Sequence, residues 1–177
     1  MDNRKLILFI ATSLDGYIAT KEEKLDWLFE VDGEGDNGFA RFYETVDTVV
    51  MGRRTFDWVN QEVVDYPYQD KSSYVFTRSN ERSHEHAVFL NDHVGTVMRD
   101  LKQQKGKSIW LIGGGELLYT CLKERLVDEV ILTVAPKLIG KGIPLFREGF
   151  DQIDLTLKHV HTFNQFVELH YVVDQKA

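Results

Sequence analysis

Three short clusters carry the residue types that hold phosphate groups: Ile112-Gly113-Gly114-Gly115-Glu116-Leu117, Gly52-Arg53-Arg54-Thr55 and Thr77-Arg78-Ser79. In the first, apolar Ile109 to Ile112 gives a short buried-strand signal and glycines interrupt it. Leu117, Leu118, Leu122 and Leu126 then follow at helical spacing. A strand that ends in glycines and feeds a helix directs backbone N–H groups into open space, which suits the phosphates of a nucleotide. A glycine run by itself is equally consistent with a tight turn. The second cluster sets two arginines at the start of a helix, where they oppose the helix dipole. An anion lying there offsets that cost, and guanidinium is the group best matched to phosphate; a solvated basic turn is the simpler alternative. The third cluster places hydroxyls and an arginine just past a buried strand, and open α/β sheets bind ligands at the carboxyl ends of their strands. Three such strand ends in one acidic chain point to a single extended anionic ligand, a dinucleotide. The surplus arginines point to a ribose phosphate, hence NADPH over NADH.

The elements that must position these clusters alternate in type. Leu6–Ala11, Thr48–Met51, Ser73–Thr77, Ala87–Leu90, Ile109–Ile112 and Glu129–Ala135 read as strands. Helical spacing is predicted for Asp26–Phe29, for Phe39, Phe42, Tyr43 and Val46, from Arg53 to Val59, for Asp92–Lys105 and for Glu116–Leu126. Thr12 to Ala19 reads as a turn leading into a charged loop. Leu155 to His161 and Phe166 to Val173 alternate as two antiparallel strands. Strands interleaved with helices imply an α/β fold with a mostly parallel sheet, which the closing pair makes mixed.

The chain has 177 residues, enough for one domain with a full core, and the whole of 1–177 is expected to be that domain. A net charge of −7 argues against a nucleic-acid partner and, more weakly, against an anionic membrane surface. The single cysteine, Cys121, permits no disulfide within the chain, which fits a reducing, cytoplasmic location. Leu6–Ala11 is too short to cross a membrane. Gly33-Glu34-Gly35-Asp36-Asn37-Gly38 matches a dinucleotide fingerprint literally, but Glu34 and Asp36 would repel a phosphate and no strand precedes it, so it reads as a loop. The His84/His86 and His159/His161 pairs have no cysteine or carboxylate at metal-site spacing, and no metal is expected.

Ala11–Ala19 (A-T-S-L-D-G-Y-I-A), Thr48–Thr55 (T-V-V-M-G-R-R-T), Val75–Arg78 and Trp110–Tyr119 (W-L-I-G-G-G-E-L-L-Y) occur in that order, with Leu126–Thr133 and Gly140–Phe146 after them. Together they resemble the dihydrofolate reductase-like superfamily over nearly the whole chain, closest to the C-terminal reductase domain of the bifunctional riboflavin-biosynthesis protein. The resemblance implies a three-layer fold with an eight-stranded mixed sheet. It also implies an NADPH-dependent reductase acting on a small molecule, of the dihydrofolate reductase or 5-amino-6-(5-phosphoribosylamino)uracil reductase type. By motif position, Ala11 and Ile18 would lie at the nicotinamide. Gly52, Arg53, Arg54 and Thr55 would hold the pyrophosphate and adenosine phosphate, and Thr77, Arg78 and Ser79 would flank the adenosine. Ile112, Gly113, Gly114, Gly115, Glu116 and Leu117 would carry the other side of the pyrophosphate. Thr133 would face the substrate. The pocket carboxylate of dihydrofolate reductases falls on Asp36, so protonation is expected from Asp36 or an ordered water, with Phe39, Phe42 and Tyr43 lining the pocket. The riboflavin-pathway reductases carry a glutamate before the glycine pair, where this chain has Ile112, so substrate identity does not carry over. A non-catalytic nucleotide-binding or ligand-sensing module of the same fold is the alternative. The alternating C-terminal strands point to a homodimer through sheet edges.

Overall fold

In the computed structural model, which describes residues 4–79 and 83–175, the chain begins β1 (Leu6–Ser13), β2 (Tyr17–Ala19), α1 (Asp26–Phe29), α2 (Phe39–Tyr43), β3 (Val46–Gly52), α3 (Arg53–Glu62), β4 (Ser72–Phe76) and β5 (Ala87–Leu90). It continues through α4 (Val94–Gln103), β6 (Ser108–Gly113), α5 (Gly115–Lys123), β7 (Glu129–Ala135), β8 (Ile143–Pro144), β9 (Leu155–Phe163) and β10 (Phe166–Val173). Eight of the strands form one sheet in the order β5-β4-β3-β6-β1-β7-β10-β9. The pairings from β5 to β7 are parallel, whereas β10 runs antiparallel to both β7 and β9.

The central strands are apolar on both faces because both faces are covered. In β6, Ile109 and Leu111 join a core with Leu117, Leu118, Cys121 and Leu122 of α5 and Met98 and Leu101 of α4. Trp110 and Ile112 face the other way, into a core with Phe42 of α2 and Phe56 and Val59 of α3. The result is the three-layer, mixed but mostly parallel α/β arrangement expected from the sequence.

Two expectations change. Val46, read with the helix before it, is fully buried in β3, because α2 ends at Tyr43. The hydroxyl of Thr45 closes that end by donating to the Phe42 carbonyl at 2.7 Å. The turn after β1 contains a strand, β2, which pairs with β8 in a separate two-stranded ribbon. Neither strand has a local periodicity; each exists because the other lies beside it.

Candidate active site

The sheet divides at the edge where its parallel strands end. Pairing of β1 with β6 stops at Leu8↔Leu111, while β1 stays with β7 as far as Ser13↔Ala135 and β6 stays with β3 as far as Met51↔Gly113. Beyond Leu8, therefore, β1 and β6 part, with Ala11 on one side and Ile112 and Gly113 on the other. The Phe9 carbonyl, on the diverging part of β1, accepts instead from the indole N–H of Trp110 at 3.0 Å. Such a crevice at strand carboxyl ends is the usual ligand site of open α/β sheets.

Beside the crevice, two strand ends meet backbone to backbone. A Cβ on Gly114, whose φ is +105°, would come 3.2 Å from Gly52 Cα and 3.3 Å from Gly52 N. Helices α3 and α5 start from these glycines, and neither start has a side-chain cap. Their first-turn N–H groups are left for water or an anion. The Thr55 hydroxyl lies at the same place, 3.8 Å from where a Cβ on Gly113 would sit. The contact shows why Gly114 is glycine: a side chain there would run into the backbone of Gly52.

The arginines divide into different roles. Arg53 is half-buried and tied through Nε to both carboxylate oxygens of Asp57, at 2.7 and 2.8 Å. The Arg54 side chain is 90% exposed, with Glu23 3.9 Å away. Arg78, equally exposed, pairs at 2.9 Å with Glu116 in the first turn of α5. Glu116 is also approached by Arg147 at 3.8 Å, and Arg147 lies across the backbone of Gly115. Arg147 immediately follows the Gly140–Phe146 motif, so the signal for it stood one residue beyond the pattern. Thr77 Oγ1 accepts the backbone N–H of Ser79 at 3.1 Å, which shapes the turn after β4.

The segment over the end of β1 is held in place by polar contacts. Asp15 accepts from the Ser13 hydroxyl at 2.6 Å, from Gly140 N–H at 2.7 Å and from Ile139 N–H at 3.2 Å. The Ser13 hydroxyl and then these amides hold its carboxyl below the usual value. Ile18 on β2 packs half-buried against the core that contains α5.

On the α2 side, Ala11, Thr133 and Glu168 stand opposite one another across β1, β7 and β10. Phe9 stacks on Phe42 with ring centroids 4.0 Å apart, and Trp110 meets Phe9, Phe39, Phe42 and Tyr43 edge-on. Asp36 is placed differently from the pocket acid expected of it. It is exposed on the loop before α2, its two oxygens accepting from Gly38 N–H at 3.0 Å and Ala40 N–H at 2.7 Å. A short acidic residue two to four positions before helical amides caps them readily, and that local chemistry sets its direction. Two open depressions, about 380 Å³ beside Phe56 and Phe89 and about 420 Å³ around Arg4 and Asp47, lie away from this edge. Among the described residues, no group of three or more His, Cys, Asp or Glu side chains is set to hold a metal ion.

The parted sheet, the paired glycine turns and the antiparallel closing strands define a dihydrofolate reductase-like fold. The Enterococcus faecalis dihydrofolate reductase complexed with NADP(H) superposes with a TM-score of 0.65 at 15% identity, over 97% of each chain. By its match to the RibD C-terminal domain model over residues 4–169, the chain belongs to the RibD C-terminal domain family. It is 48% identical over 170 residues to the Bacillus subtilis (strain 168) protein named "Uncharacterized protein YwjB", covering 96% of this chain and 98% of that one. A crystal structure from Shewanella sp. PV-4 that carries a provisional riboflavin-biosynthesis name matches with a TM-score of 0.87 at 34% identity, over 97% of this chain and 99% of that one.

Proposed function

We propose that this chain, as one domain, is an NADPH-dependent oxidoreductase that reduces a conjugated C=N or C=O bond in a small pterin- or pyrimidine-like molecule. The reaction is of the dihydrofolate reductase or 5-amino-6-(5-phosphoribosylamino)uracil reductase type. The observation that carries the reading is the crevice between β1 and β6 with two uncapped helix starts beside it. The pyrophosphate is proposed to lie against this junction because Gly114 lets the two turns approach closely and the start of α5 has no side-chain cap. NADPH, when bound, supplies the hydride. The chain supplies the placement: first-turn amides after Gly52 and Gly114, with Thr55, for the pyrophosphate; Arg54 and Arg78, with Thr77 and Ser79, for the adenosine end; Ala11, Ile18 and Ile112 as apolar walls that exclude water at the nicotinamide. Thr133 offers a hydroxyl to the substrate. Since both Asp36 oxygens are engaged by capping, an ordered water is the favoured proton source.

Titration followed by nicotinamide fluorescence is expected to give NADPH binding in the micromolar range and weaker NADH binding. Arg54→Ala is expected to lower NADPH affinity about tenfold and leave NADH nearly unchanged, as loss of one charge-assisted phosphate contact would. Absence of NADPH binding overturns the reading, and equal effects on both cofactors remove Arg54 from the ribose phosphate. The engagement of Asp36 also favours a second reading, a nucleotide-binding module of this fold without turnover. Following NADPH absorbance over a panel of pterins and pyrimidines separates the two, since oxidation with any of them requires the enzyme.

The setting proposed is cytoplasmic, with no nucleic-acid or membrane partner; no described helix is long and apolar enough to cross a membrane. Strand β9 is an edge of the main sheet and exposes Leu155, Leu157 and Val160. Edges of this kind pair readily, and a homodimer through β9 is proposed. Scattering in solution is expected to give twice the 20.5 kDa chain mass, and a monomer mass defeats it.

A further inference from the structure

Helix α5 begins on a glycine that its backbone does not demand. Gly113 and Gly114 have φ of +154° and +105°, where a side chain is strained, but Gly115 lies outside that region. Glycine at a helical position lowers stability relative to alanine, so another cause is needed, and Arg147 supplies it. A Cβ on Gly115 would come 3.3 Å from Arg147 Nε and 3.7 Å from its Cζ. Glycine therefore leaves the guanidinium room to lie against the first turn of α5. Arg147 is anchored there from both sides along the chain. Two residues before it, Leu145 is 2% exposed in the core that α5 shares, and its N–H donates to the Gly16 carbonyl at 2.9 Å. Two residues after it, the Gly149 carbonyl accepts from the hydroxyl of Tyr119, midway along α5, at 3.0 Å. The segment from Leu145 to Gly149 is thus a strap over the N-terminal half of α5, with Arg147 at its middle.

A second arginine arrives from another strand end and meets the same carboxylate. Glu116 Oε2 takes Arg78 at 2.9 Å, and its Oε1 lies 3.8 Å from Arg147 Nη1. Arg78 follows β4 and Glu116 follows β6, and β3 pairs between those two strands. The Arg78–Glu116 pair therefore spans the end of β3, where Gly52 meets Gly114. The side chains of Arg78, Arg147 and Glu116 are 88%, 51% and 66% exposed. Ion pairs so open to water contribute little and exchange readily. A phosphate is the stronger partner, because a guanidinium holds it through two parallel N–H groups. Two guanidiniums on one carboxylate also leave a positive charge over, beside a helix start that has no side-chain cap.

We infer that Glu116 is an internal competitor for the phosphates of a ligand at this edge, and that Arg147 is a second guanidinium of the same site. Glu116 holds Arg78 and Arg147 together across the junction of the two turns. A phosphate arriving there takes both guanidiniums, and the carboxylate turns to water. The inference rests on the cofactor reading for the identity of the ligand. It adds Arg147 to the site and gives Glu116 a role opposite in sign to that of the arginines.

The test titrates the full chain by calorimetry with NADPH and, separately, with inorganic pyrophosphate. Glu116→Gln keeps the length of the side chain and removes its charge. It is expected to tighten both ligands roughly threefold, the scale of an exposed ion pair. It is also expected to lower the melting temperature slightly, since a first-turn carboxylate favours the helix dipole. Arg147→Gln is expected to weaken both ligands about tenfold, as loss of a charge-assisted phosphate contact would. A substitution that merely damages the fold does not tighten binding, so the opposite signs separate competition from a structural role. Unchanged or weaker binding by Glu116→Gln overturns the competitor role, and unchanged binding by Arg147→Gln removes Arg147 from the site. A wild type that binds pyrophosphate with these shifts but takes no NADPH overturns the reductase reading and leaves this inference standing. NADPH binding that neither variant shifts does the reverse. A wild type that binds neither ligand overturns both.

Discussion

Gly114→Ala is expected to lower the melting temperature by roughly 5–15 °C and to weaken NADPH binding more than tenfold. Two costs combine. The residue sits at φ +105°, which an L side chain rarely adopts, and holding a non-glycine residue in a left-handed conformation costs about 1–2 kcal/mol. The new Cβ would also lie 3.2 Å from Gly52 Cα. That neighbour is backbone, fixed by its place at the end of β3, so it yields only by moving the strand end; overpacking of this kind costs about 1–3 kcal/mol. A domain of this size loses about 2–4 °C per kcal/mol. Binding is expected to suffer beyond stability, because on the proposed reading the amides that follow these glycines take the phosphates. Gly16→Ala is the matched control. Gly16 has φ +85° but nothing within 4 Å of its Cβ position, so only the conformational cost applies and NADPH affinity is expected to hold. Thermal unfolding with and without NADPH measures both effects. If the Gly114 variant melts and binds like the wild type, the backbone contact between the two turns has no part in the site.

Trp110→Ala is expected to cost about 3–5 kcal/mol, the range for removing a large buried aromatic. Trp110 is 6% exposed and meets Phe9, Phe39, Phe42, Tyr43 and Tyr68 edge-on. Its indole N–H also satisfies the Phe9 carbonyl, on the part of β1 that has left β6. Alanine would leave a cavity at the base of the crevice and strand that carbonyl, whose loss of partner costs about 1–3 kcal/mol. Trp110→Phe separates the two contributions: it keeps most of the ring contacts and loses the N–H, so roughly 1–3 kcal/mol is expected. Urea denaturation checks both. An Ala variant within about 1 kcal/mol of the wild type would mean that the cluster collapses around the gap and that α2 is not held by this residue.

Much of the framework was legible because it is written in local pattern. The apolar runs at Leu6, Thr48, Ile109 and Glu129 became β1, β3, β6 and β7, and Ala87–Leu90 and Glu129–Ala135 have the bounds their periodicity indicates. Strands covered on both faces must be apolar at every position, and amphipathic helices such as α4 must repeat every three or four residues. The glycine and arginine clusters were visible for a related reason: only glycine tolerates the backbone at Gly114, and few residues other than arginine suit a phosphate.

The side of the sheet that α2 covers was not legible in that way. Asp36 drew attention through its place in a loop, yet its carboxylate faces its own helix amides, a contact of two to four residues. Glu168 is a polar residue in an alternating strand, a pattern that ordinarily marks the solvent side. Its burial depends on α2, more than a hundred residues earlier in the chain, lying over β10 and bringing Arg41 to it. Arg147 reaches Gly115 from beyond β8, and β2 exists through β8 alone. Residues such as Gly52, Arg54 and the glycines after Ile112 carry backbone freedom and charge type with them, so the sequence alone marked this edge as the candidate phosphate site. What lies opposite that edge depends on which strands pair and where β1 parts from β6. These are contacts between residues far apart in the chain, formed by packing, and only the tertiary structure decided them.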